Sequence, residues 1–252
     1  SATVNVARYQ RMLAQVAAQF PASTKVILLA DRGFCHINLM KIATQLGWHF
    51  RIRLKSDTWV YLANGQRCQI KMLMPPLGEG HCHAHVWITN QRHGSVHLAL
   101  AHVITPNGSE KWAIVSDEPV GRHTFDEYGL RFDIEENFLD DKSAGFNLED
   151  SQLKDSMALS RLCLILAVTT AYLVSTGTAV VTLGWRPAVD THWRRGLSYL
   201  QIGWRWCKYA LANHLRPHYF LWLPPNPDPE PVIACWSQFY RPTYELHALE
   251  HL

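Results

Sequence analysis

Four residues of this sequence, Tyr128, Arg131, Glu135 and Lys142, stand at offsets of zero, three, seven and fourteen in the stretch YGLRFDIEENFLDDK. On a helix turning about 100° per residue these positions share a stripe roughly 60° wide. Leu130, Ile134 and Phe138 form an apolar stripe beside it, and Asp133, Glu136 and Asp140 a third, acidic one. An amphipathic helix needs only a core side and a water side. A separate stripe of aromatic, cation, carboxylate and cation calls for a chemical role. Asp31 is the first acidic residue of the chain; it closes the apolar run KVILLA and precedes Arg32 and Gly33. A parallel sheet opens its functional edge at such a point, although a lone Asp there also serves as a helix N-cap or turn residue. Read together, Asp31 and Glu135 offer hard oxygen ligands of the kind Mg²⁺ takes. Arg131, Tyr128 and Lys142 would then hold phosphate against the metal.

The elements that must position these residues follow from periodicity. Val6, Tyr9, Leu13, Val16 and Phe20 recur at helical spacing until Pro21. KVILLA suits a buried strand of a parallel sheet, HINLMKIATQLGW a helix, and HFRIRL an alternating strand. Strand, helix and strand within about 30 residues make a βαβ unit. From Thr58 to about Pro119 the texture changes to WVYLA, QIKML, HAHVWIT, VHLALAHVI and KWAIVS, separated by Asn64-Gly65, PPLGEG and Asn107-Gly108. Turn residues at this rate predict a β-sheet insertion. Helices return at Thr124, and another is expected from about Leu148. The organisation expected is therefore 1–56, 57–121 as the β-rich insertion, 122–183, and 184–252 as a C-terminal helical segment with a stiff Pro-rich tail.

Charge is distributed unevenly. Residues 1–112 hold 12 Lys/Arg against 4 Asp/Glu, residues 113–160 hold 4 against 12, and residues 161–252 hold 8 against 5. A basic body with one acidic helical block suits a polyanionic partner and a cation site. Six widely spaced cysteines with no CxxC pair fit reduced thiols in a cytosol. The start SATVNVARYQ has neither an initiator Met nor a signal-peptide pattern and reads as the interior of a longer reading frame. Residues 162–183 carry no charge; diluting threonines and the absence of flanking aromatic and basic anchors predict a buried core helix rather than a membrane span. His81, His83 and His85 fall on one side of an extended strand and read as a solvated histidine face rather than a zinc site. The Trp- and Arg-rich segment 185–208 either packs a helix pair with arginines at the rim or stacks on DNA. Packing is the favoured reading.

The stretch LLADRGF around Asp31 and the spacing of Tyr128, Arg131, Glu135 and Lys142 resemble the DDE transposases of bacterial insertion sequences, in the subgroup with a Tyr-Arg-Glu-Lys signature and a β-strand insertion. The resemblance covers about residues 1–183. It implies an α/β fold: a partial ribonuclease H-like core interrupted by an antiparallel β insertion and followed by C-terminal helices. It also implies two-metal cleavage and strand transfer at transposon ends, with two Mg²⁺ (or Mn²⁺) ions. Asp31 matches the second catalytic Asp and Glu135 the catalytic Glu, both metal ligands, while Tyr128, Arg131, Lys142 and Arg32 match DNA-binding positions. The implied partners are double-stranded DNA, as transposon ends and target, and a second subunit in a homodimer on paired ends, in the bacterial cytosol or nucleoid and without a membrane. One departure matters. Residues 1–30 contain no Asp or Glu, so the family's first Asp and its upstream strands are expected to be missing. The chain alone is then expected not to cleave DNA, being an N-terminally truncated copy, or a non-catalytic remnant that only binds DNA or a partner subunit.

Overall fold

A computed structural model describes residues 6–105, 108–131, 146, 148–193, 195–216 and 244–252. The chain divides into two compact units, residues 1–134 with 242–252, and residues 135–241. The first is mixed α/β, built on one eight-stranded sheet.

In the first unit the apolar runs become strands where β-branched residues cluster. Helix α1 (Val6–Ala17) precedes β1 (Ile27–Ala30), α2 (Ile37–Gln45) and β2 (His49–Arg53). β1 and β2 pair in parallel, Ile27 opposite His49, so the expected βαβ unit forms. Next come β3 (Trp59–Tyr61), β4 (Arg67–Gln69), the single helical turn α3 (Ile70–Leu73), β5 (Glu79–Ile88), β6 (His93–Thr105) and β7 (Gly108–Ser116). These strands are antiparallel to their neighbours, and β7 pairs directly with β2. The strands expected as an insertion thus continue the sheet of β1 and β2, in the order β1-β2-β7-β6-β5-β3-β4.

Alternation along the strands sends side chains to two cores. Phe50, Ile52, Leu98 and Val115 pack with Leu13 of α1 and Leu39, Met40 and Ala43 of α2. On the other face Ala99, Trp112 and Ile114 pack with Phe125 and Tyr128 of α4 (Arg122–Gly129).

In the second unit α5 (Ser156–Thr182) packs on α6 (Tyr199–Ala212). Asp155 caps α5 and Ser198 caps α6, each accepting from a backbone N–H three residues on. The helices cross where Gly177 meets Gly203, close enough that a Cβ on Gly177 would collide with the Tyr199 carbonyl. The expectation of a buried core helix holds only for part of α5. Its buried residues run mainly from Leu173 to Val180, while Leu164, Ile165 and Val168 are exposed. The cause is length: α6 has 14 residues against 27 in α5, and covers only part of it. Among the described residues α5 is the one helix long and apolar enough to cross a bilayer by length and composition.

The C-terminal residues also differ from the expectation of helix and tail. After the undescribed segment, Tyr244 and Leu246 enter the α4-side core, and β8 (Ala248–His251) adds to β5 in parallel.

Candidate functional site

β1 ends at Ala30, and Asp31 leads into a short 3₁₀ turn, Arg32–Phe34. The turn is closed by the Asp31 backbone carbonyl, which accepts from Phe34 N at 2.8 Å, and not by the side chain, which makes no capping bond. Asp31 Oδ1 is buried and has no hydrogen-bond partner among the described residues. The capping role that the sequence left open for Asp31 is therefore unfilled. An orphaned buried carboxylate oxygen is costly and suits a ligand held from outside the chain.

The sheet brings α4 to the same strand end. Thr124, Phe125 and Tyr128 are all 0% exposed, and the Tyr128 ring meets Trp112 edge-on, centroids 5.7 Å apart. Leu130 is 60% exposed. The expected apolar stripe is thus not the buried one at this point. The helix docks through positions 124, 125 and 128, and Leu130, about 200° round from Tyr128, faces away. The Arg131 guanidinium lies 5.6 Å from the Tyr128 ring centroid. Burial pushes the Tyr128 phenol above its ordinary pKa, and the negative charge of Asp31 adds to that, while Arg131 and Arg53 oppose it. The charges of Asp31, Arg131 and Arg53 therefore all reach the Tyr128 phenol. Glu135 and Lys142 lie outside the described residues.

An open groove of about 1090 Å³ runs from Asp31 and Arg32 past Arg53, Lys55 and Lys111 to His102 and Ser109. Arg53 donates to Glu110 at 3.4 Å and to the Lys111 carbonyl at 2.9 Å. The groove is lined by the cations of Arg32, Arg53, Lys55 and Lys111 together with the carboxylates of Asp31, Asp57 and Glu110. Asp31 has the chemistry of a ligand for a hard cation, a buried carboxylate oxygen with no bond of its own. Among the described residues no group of three or more His, Cys, Asp or Glu is placed to hold a metal.

A buried arginine holds this frame. Arg51 donates from Nε to Glu127 Oε2 at 2.7 Å, from Nη2 to Glu118 Oε2 at 2.8 Å, and from Nη1 to Ser116 Oγ and the Phe50 carbonyl at 3.0 Å. Glu127 adjoins Tyr128, so the ion pair pins α4 to β2 beside the candidate site. Burial opposes ionisation of Glu118, but hydrogen bonds from Lys25 and Arg51, with the charges of His49 and Arg51, hold its carboxyl down at about 2. The alternating pattern of HFRIRL gave no sign that Arg51 would be buried.

The histidine strand departs from its expectation. His81 lies 3.5 Å from Glu250 of β8, but His83 is only 8% exposed and its Nε2 has no partner among the described residues. Burial, then the neighbouring His81, lowers its pKa. At His85 a positive φ of 54° breaks the alternation, and its ring turns to His97, 5.2 Å away. A bulge in β5 is the reason the face is neither continuous nor fully solvated.

In the second unit the Trp- and Arg-rich segment packs largely upon itself. Trp185 stacks on Trp206 at 5.1 Å, Arg195 is buried with its guanidinium 4.0 Å over the Tyr199 ring, and Arg186 binds Asp190 and the His192 carbonyl. Trp193 remains exposed, and Arg194 lies outside the described residues.

Compared with known proteins, the chain matches no family model and no curated protein.

Proposed function

We propose that the chain is part of the catalytic region of a DDE transposase, with a ribonuclease H-like core, and that it acts on the phosphodiesters of transposon ends. The observation that carries this reading is the orphaned carboxylate oxygen of Asp31, buried at the end of β1 where the residue's charge reaches Tyr128. In this reading Asp31 and Glu135 hold divalent ions. The ions, when bound, supply an activated water or 3′-hydroxyl and neutralise the leaving oxygen. Arg131 and Lys142 hold phosphate oxygens; the buried Tyr128 positions Arg131; Arg32, Arg53 and Lys55 bind the backbone of the incoming duplex along the groove. A further strand carrying a third carboxylate would lie beside β1 in such a core, and β1 is the edge strand of this sheet.

The absence of any Asp or Glu in residues 1–30 favours a second form of the same reading. Two carboxylates hold a cation weakly, so the chain by itself binds DNA as a homodimer on paired ends without cutting it. Mn²⁺ titration followed by electron paramagnetic resonance tests the site. The chain takes up Mn²⁺, and Asp31→Asn and Glu135→Gln each abolish uptake. Uptake that survives both substitutions overturns the assignment. Supercoiled plasmid with Mg²⁺ then separates the two forms, since nicking by the chain alone supports the complete enzyme and its absence the binding form.

A further inference from the structure

Near the opposite edge of the sheet, around β3, which lies five strand spacings or about 24 Å from β1, aromatic rings and arginines interleave on one surface. Trp59 and Tyr61 of β3 alternate with the buried Val60, and Tyr61 sits opposite Trp87 of β5. Arg67 of β4 pairs with Tyr61. Its guanidinium carbon lies 4.0 Å from the Trp59 centroid and 5.6 Å from that of Tyr61, and Arg92 lies 4.6 Å from the Tyr61 ring. The three rings are half-buried and the two arginines exposed.

The interior does not explain this surface. Val60, Cys68 and Ile88 on the reverse face form the packing, so the rings are not needed to fill a core. Among the described residues neither Arg67 nor Arg92 pairs with a carboxylate, so both charges stay uncompensated; Arg67 makes only a 3.4 Å bond to Asn90 Oδ1 beyond its ring contacts. Between Thr58 and Asn107 the sequence holds a single acidic residue, Glu79, against Arg67, Lys71 and Arg92.

Geometry narrows the ligand. Residues two apart on a strand are separated by about 6.7 Å, roughly twice the 3.4 Å spacing of stacked bases. The Arg67 guanidinium lies over both rings, nearer to Trp59 than to Tyr61. A planar ring could take its place while the arginine swings to a phosphate. A duplex hides its base faces, and an acidic peptide has no use for a ring-spaced slot. Unpaired nucleotides present both a flat face and a phosphate.

We propose that the Trp59–Tyr61–Trp87 face is a binding platform for unpaired, single-stranded nucleic acid, with Arg67 and Arg92 as its phosphate contacts. The platform does not depend on the chemistry at Asp31.

Fluorescence anisotropy of the full chain with a labelled 12-nucleotide single strand, and with the matching blunt duplex, tests it. Trp59→Ala weakens single-strand binding about ten-fold, the scale of one lost stacking contact, and leaves duplex binding unchanged. Arg67→Gln and Arg92→Gln each reduce the salt slope for the single strand by about 0.7. Circular dichroism confirms folding, and Trp59→Phe, which keeps a stacking ring, retains most of the affinity. Asp31→Asn leaves single-strand binding intact, so loss of the catalytic reading and loss of the platform are distinguishable. Unchanged affinity in Trp59→Ala, equal losses for strand and duplex, or equal competition by polyglutamate would overturn the proposal.

Discussion

Glu127 accepts a 2.7 Å hydrogen bond from Nε of Arg51, a guanidinium only 1% exposed in the middle of β2. This bond and the 2.8 Å bond from Arg51 to Glu118 join α4 and the segment after β7 to one cation. Breaking a buried pair from one side leaves charges without compensation, which costs more than the pair itself contributes. Arg51→Met should therefore destabilise the protein by about 3 kcal/mol in equilibrium denaturation, the low end for buried pairs because both carboxylates keep some contact with water.

The same network sets an acid limit. The Glu118 carboxyl is held at about 2, below its ordinary 4.5. A depressed carboxylate contributes stability that is fully present above the ordinary value and is lost as pH falls through the folded one. Stability should decline between about pH 4.5 and 2, by at most about 3 kcal/mol from this group. Denaturation measured across that range should show the decline in the parent chain and a shallower one in Arg51→Met. Equal slopes would mean that Arg51 does not hold Glu118.

In the second unit the crossing of α5 and α6 rests on two glycines. A Cβ on Gly177 would strike the Tyr199 carbonyl and one on Gly203 the Leu173 carbonyl, both backbone atoms that cannot rotate away. In an open helix Gly→Ala stabilises by up to about 1 kcal/mol. Here the sign reverses, and Gly177→Ala should cost about 3 kcal/mol, the upper range for overpacking. Hydrogen exchange is the suitable measurement, because it reports α5 and α6 amides separately from those of the sheet. Loss of protection in the sheet with none in these helices would refute it.

The β1–α2–β2 unit was legible because a continuous apolar run and a 3.6-residue pattern adjoin without ambiguity. QIKML was not, since Ile70–Leu73 is a helical turn and five residues cannot distinguish that from a strand. Arg51 reads as a solvent-facing residue by alternation; its burial depends on carboxylates 67 and 76 positions away that only the folded chain assembles. ALEH of β8 has no strand signature of its own and becomes extended by pairing with β5. At the candidate site, Asp31 was recognisable from its place after an apolar run. The inversion by which Tyr128 is buried and Leu130 exposed was not, because helix phase depends on which residues Trp112 selects as its neighbours.

Asp31 itself supplies the most discriminating stability measurement. If its carboxylate were a structural cap, Asp31→Asn would destabilise the fold or leave it unchanged. Instead Oδ1 is buried with no partner among the described residues, and the turn is closed by backbone. A carboxylate oxygen buried without a partner opposes folding. Asp31→Asn should therefore raise stability by about 1 kcal/mol in metal-free buffer. Saturating Mn²⁺ should raise the melting temperature of the parent chain by mass action and leave that of the variant unchanged. The two chains would thus exchange rank on addition of the cation. A variant that melts lower in both conditions would place Asp31 in the structure of the turn and remove it from the candidate site.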